Sequence, residues 1–123
     1  MIGIETDDGR TAFRPGERIE GSLSWSLAEE PTAIEVRLFW HTSGKGDRDV
    51  EVVDRLRLAA PPASESRRPF RLRLPLAPWS FSGSLITLSW ALEAVALPSN
   101  ESVLLDVGVS PTGEEVRLPS VPP

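Results

Sequence analysis

His41 is the first residue to consider for chemistry, because it is the only histidine in the 123-residue chain. An imidazole can transfer protons near neutral pH, and Ser43 and Asp47 supply the other residue types of a hydrolase triad or a small metal site. Neither grouping has a recognised spacing, and the absence of cysteine excludes thiolate metal sites and cysteine nucleophiles. We therefore expect a protein that is not an enzyme and that holds no metal and no cofactor.

Arginine is the second chemical resource, since twelve of the 13 basic residues are arginines. Four of them alternate with apolar residues in two segments of the chain: Arg55, Arg57, Arg71 and Arg73. Guanidinium groups bind carboxylates and phosphates through paired hydrogen bonds, so two such segments in one sheet would present a face for an acidic or phosphorylated peptide. The alternative is a solvated sheet face on which these arginines pair with acidic side chains of neighbouring strands.

Aromatic side chains offer a different kind of site. Trp25, Trp40 and Trp90 lie at apolar positions of their segments and are predicted to be in the core. Trp79 and Phe81 lie instead in a proline-rich turn, where their rings could form a platform for a sugar or a peptide. The alternative is that this turn folds back and that Trp79 covers one end of the protein.

The elements that position these residues are indicated by alternating apolar and polar side chains, the pattern of half-buried β-strands. This alternation runs through residues 18–27, 34–41, 50–58, 70–76 and 103–109. Residues 86–97 contain good helix formers, but the alternation continues through them, and we expect a long central strand there. The pattern breaks at Val53 and Asp54, which predicts a bulge or a sheet edge.

Turns separate these segments at intervals typical of a β-sandwich. Pro15 and Gly16 predict a type II turn, residues 43–47 a hairpin loop, and residues 59–65 a further loop. We expect an all-β, immunoglobulin-like antiparallel β-sandwich of about seven or eight strands. It forms a single domain over residues 1–118, followed by a proline-rich tail at residues 119–123.

Charge and hydropathy limit the partners and the cellular location that we expect for the protein. The net charge of −5 argues against a nucleic-acid or anionic-membrane partner. The acidic N-terminal residues lack the basic and apolar blocks of a signal peptide, and the longest apolar stretch, residues 85–97, is too short to cross a bilayer as a helix. With arginine strongly preferred over lysine, as in GC-rich genomes, we expect a cytoplasmic bacterial protein.

Two groups of residues resemble motifs of the arrestin-like family. Phe13 to Leu23 resemble the family's aromatic-x-Pro-Gly-Glu-x-aliphatic-x-Gly-x-aliphatic start of an early strand. Residues 70–75, 78–83 and 88–94 resemble a later strand, a Pro-x-Ser-aromatic-x-Gly turn and the aromatic-containing strand after it. The resemblance implies an N-terminal arrestin-like sandwich domain, with bacterial sporulation-control proteins among its relatives. Arrestins pair two such sandwiches and this chain has room for one, so we carry over no phosphate-sensing residues.

The resemblance implies adaptor or scaffold work. An open strand edge can bind an extended partner segment by main-chain hydrogen bonds, or a second copy of the chain to give a homodimer. We therefore expect a non-enzymatic protein-interaction module that binds its protein partner by an edge strand or by the arginine-rich face. The alternative is a carbohydrate-binding sandwich that uses Trp79 and Phe81, and quenching of tryptophan fluorescence by sugars would favour it.

Overall fold

The computed structural model describes residues 1–44, 49–59, 64–82, 86–112 and 116–117. In these ranges the chain forms ten β-strands and one short 3₁₀ turn at Asp7–Gly9. The strands are β1 (Ile2–Thr6), β2 (Ala12–Phe13), β3 (Arg18–Ser26), β4 (Ala33–Gly44), β5 (Val50–Ala59), β6 (Glu65–Arg73), β7 (Phe81–Ser82), β8 (Ile86–Leu97), β9 (Glu101–Val109) and β10 (Val116–Arg117). Seven of them have five or more residues, in agreement with the predicted number, and β2, β7 and β10 have two each.

The strands form two sheets. The small sheet has the order β1-β3-β6, and the large sheet has the order β10-β7-β8-β4-β5, with β9 also paired to β8 and β2 paired to β9. The pairs between long strands are antiparallel, as predicted. Two pairs that involve two-residue strands, β2–β9 and β7–β10, are parallel. The fold is an all-β sandwich.

The hydrophobic core lies between the inner faces of the two sheets. The alternation in β3 and β4 sends one set of side chains inward, and this set is buried: Ile19, Leu23, Trp25, Ile34, Val36 and Leu38. Trp90 on β8 is also fully buried, and Trp40 is half-buried against the same core. Each large apolar side chain buried in this way contributes about 1.5–3 kcal/mol, so contact between the sheets is the main source of stability.

β8 is the long central strand that the alternation predicted. It pairs with β4 along one side and with β7 and β9 along the other. Its inward residues include Leu92, Ala94 and Ala96, all of which are buried. Pairing on both sides and burial outweigh the small helix preference of leucine and alanine, because tertiary contacts exceed such propensity differences.

β5 contains the irregularity predicted at Val53 and Asp54. Leu38 of β4 lies opposite Asp54, but the next residue, Phe39, lies opposite Val52, so Val53 is an extra residue in the strand. In the described part of the chain β5 pairs only with β4 and ends the large sheet. The break in the alternation therefore marks both a bulge and a sheet edge.

The turn at Pro15 and Gly16 has the predicted type II geometry. The Glu17 N–H donates to the Arg14 carbonyl at 3.1 Å, and Gly16 has a φ of +79°, which suits glycine. The Gly16 N–H donates to the Pro75 carbonyl at 3.1 Å. The turn is thereby fastened to the chain segment that follows β6.

Several predicted features lie wholly or partly outside the described residues. They are the hairpin loop at residues 43–47, the loop at residues 59–65 and the tail at residues 119–123. Among the residues that are described, no helix has the length and apolar character needed to cross a membrane.

Candidate interaction surface

The structure separates the four predicted arginines into two pairs. Arg55 and Arg57 lie on β5 at the edge of the large sheet, whereas Arg71 and Arg73 lie on β6 at the edge of the small sheet. All four are exposed on the outer faces of their sheets, so the two pairs face opposite sides of the sandwich. The condition for a single arginine-rich face, one sheet for both segments, is not met.

Arg55 and Arg57 border a charge network on the outer face of the large sheet. Glu35 accepts a hydrogen bond from Arg37 Nε at 2.9 Å, and its Oε1 lies 3.9 Å from Arg55 Nε. Arg37 Nη1 also donates to Glu93 at 3.1 Å. The hydrogen bond from Arg37, helped by the charges of Arg55 and Arg57 and opposed by burial, lowers the pKa of Glu35. Arg37 and Arg55 therefore form ion pairs with the two carboxylates of this network, and the charge of Arg57 also acts on Glu35.

Arg71 and Arg73 lie among mixed charges on the outer face of the small sheet. Arg71 is opposite Glu20 of β3, and Arg73 is opposite Arg18. Arg73 Nη1 lies 3.4 Å from the Gly16 carbonyl oxygen, to which it donates. The surroundings of this pair resemble an ordinary solvated strand face.

Trp79 and Phe81 do not share one surface. The Trp79 side chain is 45% exposed, and its indole N–H donates to the Leu76 carbonyl at 3.0 Å, which ties the ring to its own turn. Phe81 lies opposite Leu88 in β8 and is half-buried against the core. The Pro78 carbonyl accepts the indole N–H of Trp90 at 3.0 Å and so holds the turn against the sandwich. The paired aromatic platform of the carbohydrate alternative thus lacks one of its two rings.

An apolar row lies beside the charge network on the same outer face. It consists of Val50 and Val52 on β5, Phe39 on β4 and Ala91 on β8, and we call it the outer strip. Phe39 is opposite both Val52 and Ala91, so the row crosses three strands. Val50 is 65% exposed, whereas Ala91 is 1% exposed although it faces away from the core. The exposed apolar surface of the outer strip therefore increases from buried Ala91 to Val50 at the open edge of the sheet.

β5 and β6 are both outermost strands of their sheets in the described chain. They lie on the same side of the sandwich, because Leu56 of β5 and Phe70 of β6 line one cleft. An outermost strand carries a row of unpaired main-chain N–H and C=O groups. One side of the molecule therefore presents two candidate edges for an added strand.

The two edges differ in how well they are guarded against an added strand. In β6, Pro69 has no N–H to donate, and Arg68 occupies an inward position opposite Leu23. Prolines and inward charges are common means of blocking an edge. β5 contains no proline, and Val50 and Val53 on it are exposed. β5 has protective features of its own, a bulge at Val53 and inward carboxylates at Asp54 and Glu51, so what distinguishes it from β6 is its complete set of main-chain N–H groups and its exposed valines.

His41 lies on the outer face of β4, opposite Ser89 of β8. With Ser89 and Asp106 of β9 it lines a cleft of about 370 Å³. The sequence pointed to Ser43 and Asp47 as neighbours of His41, but Ser43 is exposed near the end of β4 and Asp47 lies outside the described residues. Within the described part of the chain the buried His41 Nδ1 has no hydrogen-bond partner, so none of the carboxylates there is bonded to this nitrogen as in a hydrolase triad. Among the described residues no three His, Cys, Asp or Glu side chains are grouped to hold a metal ion.

The sandwich was compared with known proteins. No protein-family model and no curated protein matches the chain, but solved structures do. One is Spo0M, the sporulation control protein from Bacillus subtilis, with a TM-score of 0.64 and 18% identity over 89% of this chain. The chain has the arrestin-like β-sandwich fold. It spans about half, 48%, of the Spo0M chain.

A second similar structure is the β-glucosidase from Listeria innocua in complex with gluconolactone. It matches with a TM-score of 0.50 and 10% identity, over 94% of this chain and 16% of the glucosidase. At this identity the likeness concerns the fold only.

The arrestin-like motif at Phe13 to Leu23 has structural roles in this chain. Phe13 is buried, and the Arg10 guanidinium lies over its ring at 4.7 Å. Glu17 accepts hydrogen bonds from Arg10 Nη1 at 2.6 Å and from the Arg14 N–H at 2.9 Å. A side chain at Gly21 would collide with main chain of β1. The motif thus builds and locks the start of β3, and the candidate binding surface lies elsewhere, on β5.

Proposed function

We propose that this arrestin-like sandwich is a non-enzymatic interaction module that binds an extended segment of a partner protein along β5. The observation that carries the proposal is the ten-residue edge of β5, which within the described chain is unpaired on one side and is apolar at Val50 and Val53. An extended segment placed there would extend the large sheet by one strand. Main-chain hydrogen bonds would supply affinity, and the side chains beside the edge would supply specificity.

The similarity in fold to Spo0M supports an adaptor role. Spo0M is described as a sporulation control protein, and a regulatory module of the same fold would need a partner rather than a substrate. This support is an analogy between folds and identifies no partner.

The proposal is tested by panning a library of random linear peptides against the protein. The selected peptides are then measured against two lysine variants of exposed apolar residues on the outer face of the large sheet. Val50→Lys places a charge at the β5 edge, whereas Leu104→Lys places it on β9, where the wild-type side chain is similarly exposed (58% against 65%). A lysine at an edge position opposes pairing with an added strand.

We expect Val50→Lys to weaken binding of the selected peptides at least about tenfold and Leu104→Lys to leave it unchanged. Equal binding by both variants and the wild-type protein would overturn the proposal. Loss of binding in Leu104→Lys alone would move the site to β9.

A further inference from the structure

The outer face of β5 has two halves of different chemistry. Arg55 and Arg57 lie toward the end of the strand, with Val50 and Val52 toward its start. Both halves are open to solvent at the edge, since Val50 is 65% exposed and the Arg55 side chain is 63% exposed. A segment paired along this edge would meet two cations and then two apolar side chains.

On the outer face the arginine half has one more guanidinium group than carboxylates, because Asp54 of β5 lies on the inward side, opposite Leu38. Glu35 and Glu93 are the carboxylates bonded to Arg37, and Glu35 is shared with Arg55 at the longer distance of 3.9 Å. Arg57 lies opposite Glu35 in the neighbouring strand, so it draws on the same carboxylate. Three guanidinium groups thus draw on two carboxylates. A carboxylate from a bound segment would complete the pairing at the edge.

The register of β4 shows the spacing that a bound strand must have. Glu35, Arg37, Phe39 and His41 alternate along β4, and they lie opposite Arg57, Arg55, Val52 and Val50 respectively. The bulge at Val53 absorbs the extra residue of β5, so a regular strand on the other side would meet these four side chains at alternate positions.

We propose that the bound segment has the pattern acidic-x-acidic-x-apolar-x-apolar, an inference that rests on the proposed function. The carboxylates lie opposite Arg57 and Arg55, and the apolar side chains lie opposite Val52 and Val50. The order is given from N- to C-terminus for a segment antiparallel to β5, since antiparallel pairs are the more stable kind. The apolar side chains would extend the outer strip beyond the sheet edge.

A second copy of the chain suits this edge poorly. If two β5 strands paired edge to edge around a two-fold axis, their outer faces would lie side by side in one continuous sheet. The outer face of each β5 presents only valine and arginine: Val50, Val52, Arg55 and Arg57. Such a pair brings no carboxylate to the surplus cations. A foreign acidic segment therefore fits better than a β5–β5 homodimer.

The test uses a fluorophore-labelled peptide in which glutamates and then valines alternate with threonine in the proposed order. Its dissociation constant is measured by fluorescence anisotropy for the wild type and two double variants. Arg55→Gln with Arg57→Gln removes the proposed contacts, and Arg71→Gln with Arg73→Gln is the matched control on the small sheet. We expect binding about tenfold weaker in the first variant and unchanged in the second.

A charge-swapped pair completes the test. A peptide with lysine in place of glutamate should bind Arg55→Glu/Arg57→Glu better than it binds the wild type. Binding of the glutamate peptide that is insensitive to both arginine pairs would overturn the inference, as would no binding at all. If library-selected peptides of another pattern still bind in a Val50-dependent manner, the proposed function survives that failure. Self-association that Val50→Lys abolishes would show instead that a second copy occupies the edge.

Discussion

Glu17 links three parts of the chain through one side chain. Its carboxylate accepts hydrogen bonds from the Arg10 guanidinium at 2.6 and 3.1 Å and from the Arg14 N–H at 2.9 Å. The hydrogen bond from Arg10, followed by that from the Arg14 N–H, lowers the pKa of Glu17. A carboxyl with a lowered pKa in the folded state stabilises the protein above its unfolded pKa and loses that contribution as the pH falls through the folded value.

The Glu17 contribution predicts a specific pH dependence. Above about pH 5 the carboxylate is charged in both states and its stabilisation is complete; below about pH 4.3 it declines. Because the pair is partly exposed, Glu17→Gln should cost no more than about 1 kcal/mol at pH 7 and should flatten the acid side of the stability curve. Urea unfolding at several pH values measures both effects, with the exposed Glu65→Gln as control. An unchanged acid slope in Glu17→Gln would contradict this account.

Gly21 is required by a close approach of strands. A Cβ there would collide with the Glu5 carbonyl oxygen and would lie 2.9 Å from a ring carbon of Phe70. At Gly108 the nearest atom to such a Cβ would be the Thr11 carbonyl oxygen at 3.8 Å, an ordinary contact. We expect Gly21→Ala to lower the free energy of unfolding by about 3 kcal/mol and Gly108→Ala to change it by less than about 1 kcal/mol. Similar effects of the two changes in urea unfolding would refute the steric explanation.

The elements themselves could be predicted from the sequence to a large extent. Period-two alternation identified six of the seven strands that have five or more residues, and its interruption located the bulge at Val53. It missed β1 and placed β6 at residues 70–76, whereas the strand is Glu65–Arg73. It identified β8 as a strand despite its helix-forming residues. The pattern reports the face of a side chain but carries no information about the neighbouring strand. That β5 and β6 lie in different sheets depends on long-range pairing, so the separation of Arg55 and Arg57 from Arg71 and Arg73 could not be predicted.

The alternation also could not predict which side chains lie side by side on the outer face of the large sheet. Ser89 and Asp106 share a cleft with His41 only because β8 lies between β4 and β9. Their outward positions could be predicted from the alternation, but their proximity to His41 could not. The outer strip is likewise a product of strand order, since Phe39 and Ala91 are far apart in the sequence and adjacent in the sheet.

The bulge in β5 supplies a prediction at the scale of the element. Deleting Val53 leaves Asp54 opposite Leu38 and Val52 opposite Phe39, so pairing with β4 is kept and the edge becomes regular. Regular edges without a bulge pair with other chains more readily, and we expect the deletion variant to fold but to self-associate more than the wild type. Light scattering at equal concentrations measures this. Deletion of Leu105 in the middle of β9 is the control and should destabilise the protein strongly, because about half of a strand paired with β8 must then shift its register. A Val53 deletion that unfolds would contradict the proposed register.

At the scale of the whole molecule, the arrestin-like sandwich separates stability from binding. The core lies between the sheets, and the Phe13-to-Leu23 motif fastens the start of β3. The β5 edge lies outside this framework, and its Arg55 and Arg57 form a basic region on a protein with a net charge of −5. A basic patch on the outer face beside this edge favours acidic segments there, on a protein that is acidic as a whole.

The central claim is that a partner segment adds to the large sheet at β5, and amide hydrogen exchange tests it most directly. Exchange is measured by NMR for the free protein and for the protein bound to a library-selected peptide. Unpaired edge amides exchange readily, and an added strand protects them. We predict slower exchange at residues 50–59 of β5 on binding and no change at residues 65–73 of β6. A bound peptide that leaves β5 exchange unchanged, or that protects β6 or the turn at Trp79 instead, would contradict the account.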